Sequence, residues 1–232
     1  MQSSRFHIII IFFFLLGSVI FVQGHYSEKR YRERVLVPEC PWCDARETQE
    51  DIVYIPINSS LMRLLSPADP HFLADILWMR TSYYFGSHAL TDRKYTYLFH
   101  LLDIITDLSP EWENPYLFGA VILPTEGEAV EDGLYLIEKG IVHHPQMWEL
   151  WFFKGYFLWK EQGDIIGGAE ALHKASLLPR APIYLAKLSA TLATQEGQKE
   201  LAIRFLEQAL ENIEDPNQRK ILIQKMEKIQ NE

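Results

Sequence analysis

With 232 residues, 48% of them hydrophobic and 13% aromatic, the chain can bury one sizeable core or one short solenoid, which excludes a wholly disordered protein. Its formal net charge of −9 becomes −10 without the first 24 residues, of which only Arg5 is charged. That balance leaves no long basic patch, and so argues against the phosphate neutralisation on which nucleic-acid binding depends.

At the N-terminus, Arg5 and His7 precede an apolar run from Ile8 to Val22 that is interrupted only by Gly17 and Ser18. The run is short against the roughly 20 residues that span a bilayer and suits the apolar region of a secretory signal. Val22-Gln23-Gly24 supplies small-residue cleavage chemistry, while an uncleaved anchor lengthened by Gln23 to Tyr26 fits equally. Residues 1–24 therefore read as a signal peptide or a signal anchor. Lys29, Arg30, Arg32 and Arg34 follow it, against the preference for cations on the cytoplasmic side. No other segment has the apolar length to span, so the expected location is membrane-anchored or exported, facing the extracytoplasmic side.

Residues 25–68 read as a charged stalk or linker, with a short extended run from Ile52 to Ile57 and a helical turn from Met62 to Leu65. The stalk carries Cys40-Pro41-Trp42-Cys43. A C-x-x-C pair is a redox candidate when a neighbouring helix N-terminus lowers one thiol's pKa. Asp44 stands where haem attachment requires histidine, two cysteines cannot complete a zinc site, and the helical remainder lacks the βαβ setting of thioredoxin-like chemistry. A local disulfide or two spare thiols is the plainer account. Asn58-Ser59-Ser60 is a formal glycosylation sequon, weak by itself.

From residue 69 onward the pattern is helical. Asp69 as N-cap and Pro70 at the first position open a helix to His88 whose apolar residues surround nearly the whole cylinder, a distribution that predicts burial on several sides. A second helix is expected from Asp92 to Leu108. Three helix pairs follow: 111–123 with 129–142, 146–161 with 165–178, and 183–195 with 200–212, and a last helix starts at Pro216. Gly127, Gly163 and Gly197 fall between partners, where a left-handed residue ends a helix at low steric cost. Pro110, Pro145 and Pro179 separate one pair from the next, so the unit recurs about every 34 to 36 residues, the spacing of a helical-hairpin array.

These residues resemble the tetratricopeptide repeat family. The best unit comprises Trp151, Gly155, Leu158, Gly163-Asp164, Ala169, Leu172, Ala175 and Pro179, and the next supplies Leu188, Gly197, Ala202, Phe205 or Leu206, and Ala209. Gly168 in place of an alanine, Lys139-Gly140 near a small-residue position and the Trp151-to-Gly155 spacing depart from the pattern. A narrower resemblance, carried by Phe72 to Arg80, Tyr84 to Gly86, Leu101 to Thr106, Glu138 to Gly140, His144-Pro145, Trp148 to Leu150 and Leu178-Pro179, is to bacterial membrane-anchored or exported members of that family with no assigned activity. The resemblance implies a right-handed α-solenoid over residues 69–232, an all-α fold, and a binding role.

Other polar clusters have plain alternatives. Asp75 and Arg80 are charges in an apolar helix, and serve either as polar anchors for a partner or as bonds to a neighbouring helix. His100, Asp103 and Asp107 share a helix face at a spacing that suits a metal or acid–base chemistry, and equally a solvated face. His143-His144-Pro145 reads as a repeat junction. The set Trp148, Trp151, Phe152, Phe153, Tyr156, Phe157 and Trp159 exceeds what one helix needs to bury, so part of it is a candidate partner patch. The expectation is a non-enzymatic scaffold with no metal or cofactor, holding a partner protein through Trp148, Tyr156, Trp159 and Tyr184, with Asp75 and Arg80 as anchors. The alternative is an envelope thiol-disulfide factor using Cys40 and Cys43. Partner identity and oligomeric state stay open at this level.

Overall fold

The computed structural model describes residues 14–23, 25, 36–37, 40–44, 58–66, 68–90 and 93–231, and for residues 36–37 and 40–44 the backbone only. The chain divides into two compact units, Met1–Val53 and Tyr54–Glu232. In the first, residues 14–23 are helical (α1) with their apolar side chains exposed. Strand β1, Leu36–Val37, pairs antiparallel with β2, Cys40–Asp44, so a small hairpin stands where a plain stalk is expected. Among the described residues no helix is long and apolar enough to cross a membrane. The run from Ile8 begins outside the described residues, and Ile52 to Ile57 lies outside them altogether.

Among its described residues the second unit is all-helical. Its elements are α2 (Ser59–Leu65), α3 (Pro70–Ala89), α4 (Leu98–Leu108), α5 (Glu113–Thr125), α6 (Val130–His143), α7 (Trp148–Lys160), α8 (Ile165–Ser176), α9 (Tyr184–Gln195), α10 (Lys199–Glu211) and α11 (Pro216–Asn231). From α3 onward each helix packs chiefly on its neighbours in sequence, α5 also reaches α7 and α11 also reaches α9, whereas α2 packs more on α4 than on α3. Such packing suits short connections, which leave successive helices little choice but to turn back on one another.

Local chemistry sets the ends. The Asp69 side chain accepts from the Phe72 amide at 3.1 Å with Pro70 at the first turn, and Asp164 accepts from the Gly167 amide at 2.8 Å to open α8. Asn58 caps α2 by accepting from the Leu61 amide at 2.8 Å, so the sequon asparagine serves as a helix cap. Gly163 (φ 71°) and Gly197 (φ 74°) adopt the left-handed conformation expected of them. Gly127 does not; the left-handed residue in that turn is Glu128 at φ 52°. Gly127 is required there for space, because a Cβ would stand 2.9 Å from the Leu123 carbonyl oxygen. The helix expected from Asp92 starts only at Leu98, since Arg93 at φ 55° donates its amide to His88 O and closes α3.

Close backbone approach fixes the middle of the unit. A Cβ on Gly155 of α7 would lie 2.8 Å from Gly168 O, and one on Gly168 of α8 2.9 Å from Gly155 O, so the two helices touch through their main chains. The glycine at 168, a departure from the family pattern, is what allows that contact. Around it lies the C-terminal core of Ala169, Leu172, Leu185, Ala190, Phe205 and Leu206. Further cores hold Tyr116, Ile137 and Leu150, and Ala74, Leu77 and Ile105.

Helix α3 departs from expectation. It is buried along one side only, through Ala74, Leu77, Thr81 and Tyr84, against α4 and, through Trp78 and Phe85, against Phe118 of α5. Among the described residues of this unit only the seven-residue α2 precedes it, and Phe72, Met79 and Tyr83 on its far side are exposed.

Candidate functional site

Helix α7 carries the aromatic set. Trp148, Phe152 and Tyr156 follow one another at four-residue intervals, and ring centroids 6.3 Å apart link Trp148 to Phe152 and Phe152 to Tyr156. Trp148, Trp151, Phe152 and Trp159 are half-buried and pack on the C-terminal core. The Trp151 indole also donates to Pro145 O at 3.2 Å. Lys160 Nζ sits 3.9 Å over the Trp159 ring. The sequence candidates therefore divide: Trp148 and Trp159 are largely packing residues, whereas Tyr156 is 38% exposed and Tyr184, which opens α9, is 49% exposed. Asp75 is exposed and Arg80 half-buried on α3, outside the α7 row.

A cleft of about 600 Å³ lies at the turns beside this row. Its lining includes Trp148, Glu113, Glu149, His143, Pro179 and Arg180. Arg180 is held at φ 63° directly after the repeat proline. Sequence reasoning named Trp148 among these, but a helix-connecting arginine has no signal that sets it apart. His144 Nε2 lies 3.0 Å from Pro110 O, one repeat earlier, which fits the junction role of the His-His-Pro segment.

The acidic face of α4 has a structural use. Lys139 Nζ of α6 bridges Asp103 Oδ1 and Asp107 Oδ1, each at 2.6 Å, and donates to Asp103 O at 2.9 Å. Asp107 also accepts from the Ser59 hydroxyl at 2.6 Å, and its carbonyl from the Arg63 guanidinium, so α2, α4 and α6 meet at one carboxylate. Partial burial pushes the Asp107 carboxyl up, but hydrogen bonds from Lys139 and Ser59 and the charges of Lys139 and Arg63 outweigh it and hold the group below its ordinary value. Neither a solvated face nor a ligand set describes these carboxylates. Among the described residues no cluster of metal-ligating side chains occurs.

His173 of α8 is almost fully buried, stacked 4.1 Å from Phe205, with Nε2 2.7 Å from Gln208 Oε1 on α10. Burial holds its pKa below the usual imidazole value. Cys40 and Cys43 both lie in strand β2. A strand supplies none of the helix dipole that lowers thiol pKa values in reactive C-x-x-C pairs.

Comparison with the models of known protein families finds no match to this chain, and comparison with curated proteins finds no similar sequence.

Proposed function

We propose that the protein is a non-enzymatic binding scaffold, a right-handed α-solenoid of tetratricopeptide-type hairpins that holds a peptide or helix of a partner protein. The observation that carries this reading is the half-exposed aromatic row on α7, set beside a cleft in a unit whose helices pack on their sequence neighbours. Side chains with two rotatable angles on a rigid helix lose little entropy when a ligand covers them, so such a row suits recognition. In this reading Tyr156 and Tyr184 make the main contacts, and Trp148 and Trp159 hold the row in place. Asp75 and Arg80 act at a separate surface. The apolar N-terminal segment acts as export signal or anchor, and places the hairpins on the extracytoplasmic side of an envelope.

The test is crosslinking of the intact chain in its native membrane followed by identification of the captured protein. Tyr156→Ala and Tyr184→Ala should each weaken capture several-fold while leaving thermal unfolding unchanged, since exposed side chains ordinarily alter stability by no more than about 0.5 kcal/mol. Undiminished capture by Tyr156→Ala would remove the α7 row as the contact, and undiminished capture by Tyr184→Ala would remove the start of α9.

A further inference from the structure

We propose that the cleft between the α3–α4 connection and the α5–α6 turn is a ligand site for a short zwitterionic peptide that carries a cationic side chain. The cleft holds about 600 Å³, within the range of small-molecule sites. Arg93 lines it from the first connection, and Glu126, Glu128 and Asp132 line it from the turn and the start of α6. Tyr95, Phe99 and Leu123 add an apolar lining. Tyr95 and Leu123 are buried, and the Tyr95 ring stacks on Phe85 of α3 with centroids 5.3 Å apart, so that part of the lining is fixed before any ligand arrives. This cleft shares no residue with the one beside the α7 row.

The charges on its walls set the chemistry of the ligand. Among the described residues, none of Arg93, Glu126, Glu128 and Asp132 belongs to an ion pair. Lys94 also lines the cleft but is already engaged within the chain. Three anions and one cation remain, and a peptide with free termini and one lysine answers them with two cations and one anion. The chain itself has little to offer these carboxylates. No lysine or arginine occurs from Tyr95 to Glu138, and Lys139, which follows, is committed to Asp103 and Asp107. Burial and the charge of the neighbouring Glu131 push the Asp132 carboxyl up, the mark of an anion whose surroundings supply no cation. The residue types at the two connections point the same way. Arg93 (φ 55°) and Glu128 (φ 52°) both hold the left-handed conformation, which glycine or asparagine adopts at lower steric cost. The backbone therefore calls for a charged residue at neither position, and the cleft is what the two have in common.

In the bound state the Arg93 guanidinium takes the ligand carboxylate as a fork, and the lysine ammonium and the amino terminus lie among Glu126, Glu128 and Asp132. The residue that bears the carboxyl terminus rests against Phe99 and Leu123, which favours an apolar side chain there. Arg93, Glu126 and Glu128 are exposed, so these contacts are screened by salt and binding is reversible. The dipeptide Lys-Leu is a small molecule that carries all of these groups.

The test is a ligand-observed NMR titration of the full chain in mild detergent with the dipeptides Lys-Leu, Glu-Leu and Lys-Leu amide. Lys-Leu should bind saturably, Glu-Leu about ten-fold more weakly or less, and the amide several-fold more weakly because it lacks the carboxylate. Asp132→Asn should weaken Lys-Leu several-fold. Arg93→Gln should weaken Lys-Leu to the level of the amide and leave the amide unchanged, a pattern that a merely structural role for Arg93 would not produce. Thermal unfolding of both variants should match the parent chain, since neither side chain is fully buried. Absence of saturable Lys-Leu binding to the parent chain would overturn the proposal, and so would equal binding of Lys-Leu and Glu-Leu. Equal losses of Lys-Leu and its amide in Arg93→Gln would overturn the pairing of Arg93 with the carboxylate.

Discussion

At its C-terminal end the helical unit closes with α11, which buries Leu222 and Ile229 against α9 and α10 and leaves Arg219, Lys220 and Glu227 in solvent, whereas at its N-terminal end α3 leaves Phe72, Met79 and Tyr83 there. Ile221 and Ile223 are also exposed on α11, but two residues apart they point to different sides of the helix and form no stripe. A stack of helices has two unsatisfied ends, and each needs a cover with a polar outer side. The chain covers one end with its own last helix. Among the described residues the other end has only α2, seven residues long, which cannot span a twenty-residue helix. The contrast teaches that an apolar residue on a terminal helix reports on what binds there as much as on what folds there.

The largest effect expected on this contrast comes from uncoupling the ends. Gly155→Ala would drive a methyl group against Gly168 O and the Leu172 amide, neither of which can move without displacing a helix. A loss of about 3 kcal/mol follows from overpacking. Urea unfolding should show it, with the α3–α6 segment surviving to higher denaturant than α8–α11. A single unshifted transition would contradict the close crossing.

Of the same order is a direct comparison of the ends. Leu222→Ala, at a fully buried site, should cost about 2 to 5 kcal/mol, while Met79→Ala should change the stability of the dilute protein by no more than about 0.5 kcal/mol. Equal costs would mean that α3 is covered within the chain.

The smallest effect is a difference in acid sensitivity. Because the folded His173 imidazole has a depressed pKa, the unfolded chain takes up this proton first as pH falls. Its contribution is therefore complete above the ordinary value of 6.5 and is lost as pH drops from there through the folded value, loosening the α8–α10 contact. Asp107 is likewise depressed, so its stabilisation is complete above 3.8 and is lost only as pH falls below that. Unfolding followed from pH 7 to 3 should weaken the C-terminal end first, and His173→Gln should abolish the loss between pH 7 and 5. A loss that persists in that variant would assign it to another group.

Much of the helix order was legible in the sequence because its punctuation is local. Asp69-Pro70, Gly163-Asp164 and Gly197 act on their own turns, and the structure starts or stops helices within about two residues of the positions they mark. The errors arise where a distant residue decides. Glu128 takes the left-handed conformation because Gly127 is needed for clearance over Leu123, which no turn rule reveals. Lys139 reaches Asp103 and Asp107 across 36 and 32 positions, so the acidic face looked solvated from α4 alone. The apolar residues of α3 surround the helix as the sequence implies, but composition does not decide burial where the end of a stack supplies no neighbour. For the candidate site, the aromatic excess on α7 was visible, while the split between packing rings and exposed rings depends on how α8 and α9 lie against it.

The most direct test is hydrogen exchange of the full chain, resolved by helix. The account predicts that α11 amides are protected as well as those of α10, while α3 amides exchange faster than those of α4, because one side of α3 has no neighbour. Equal protection of α3 and α4, or exchange in α11 much faster than in α10, would contradict the claim that the chain covers one end of the stack with its last helix and leaves α3 exposed at the other.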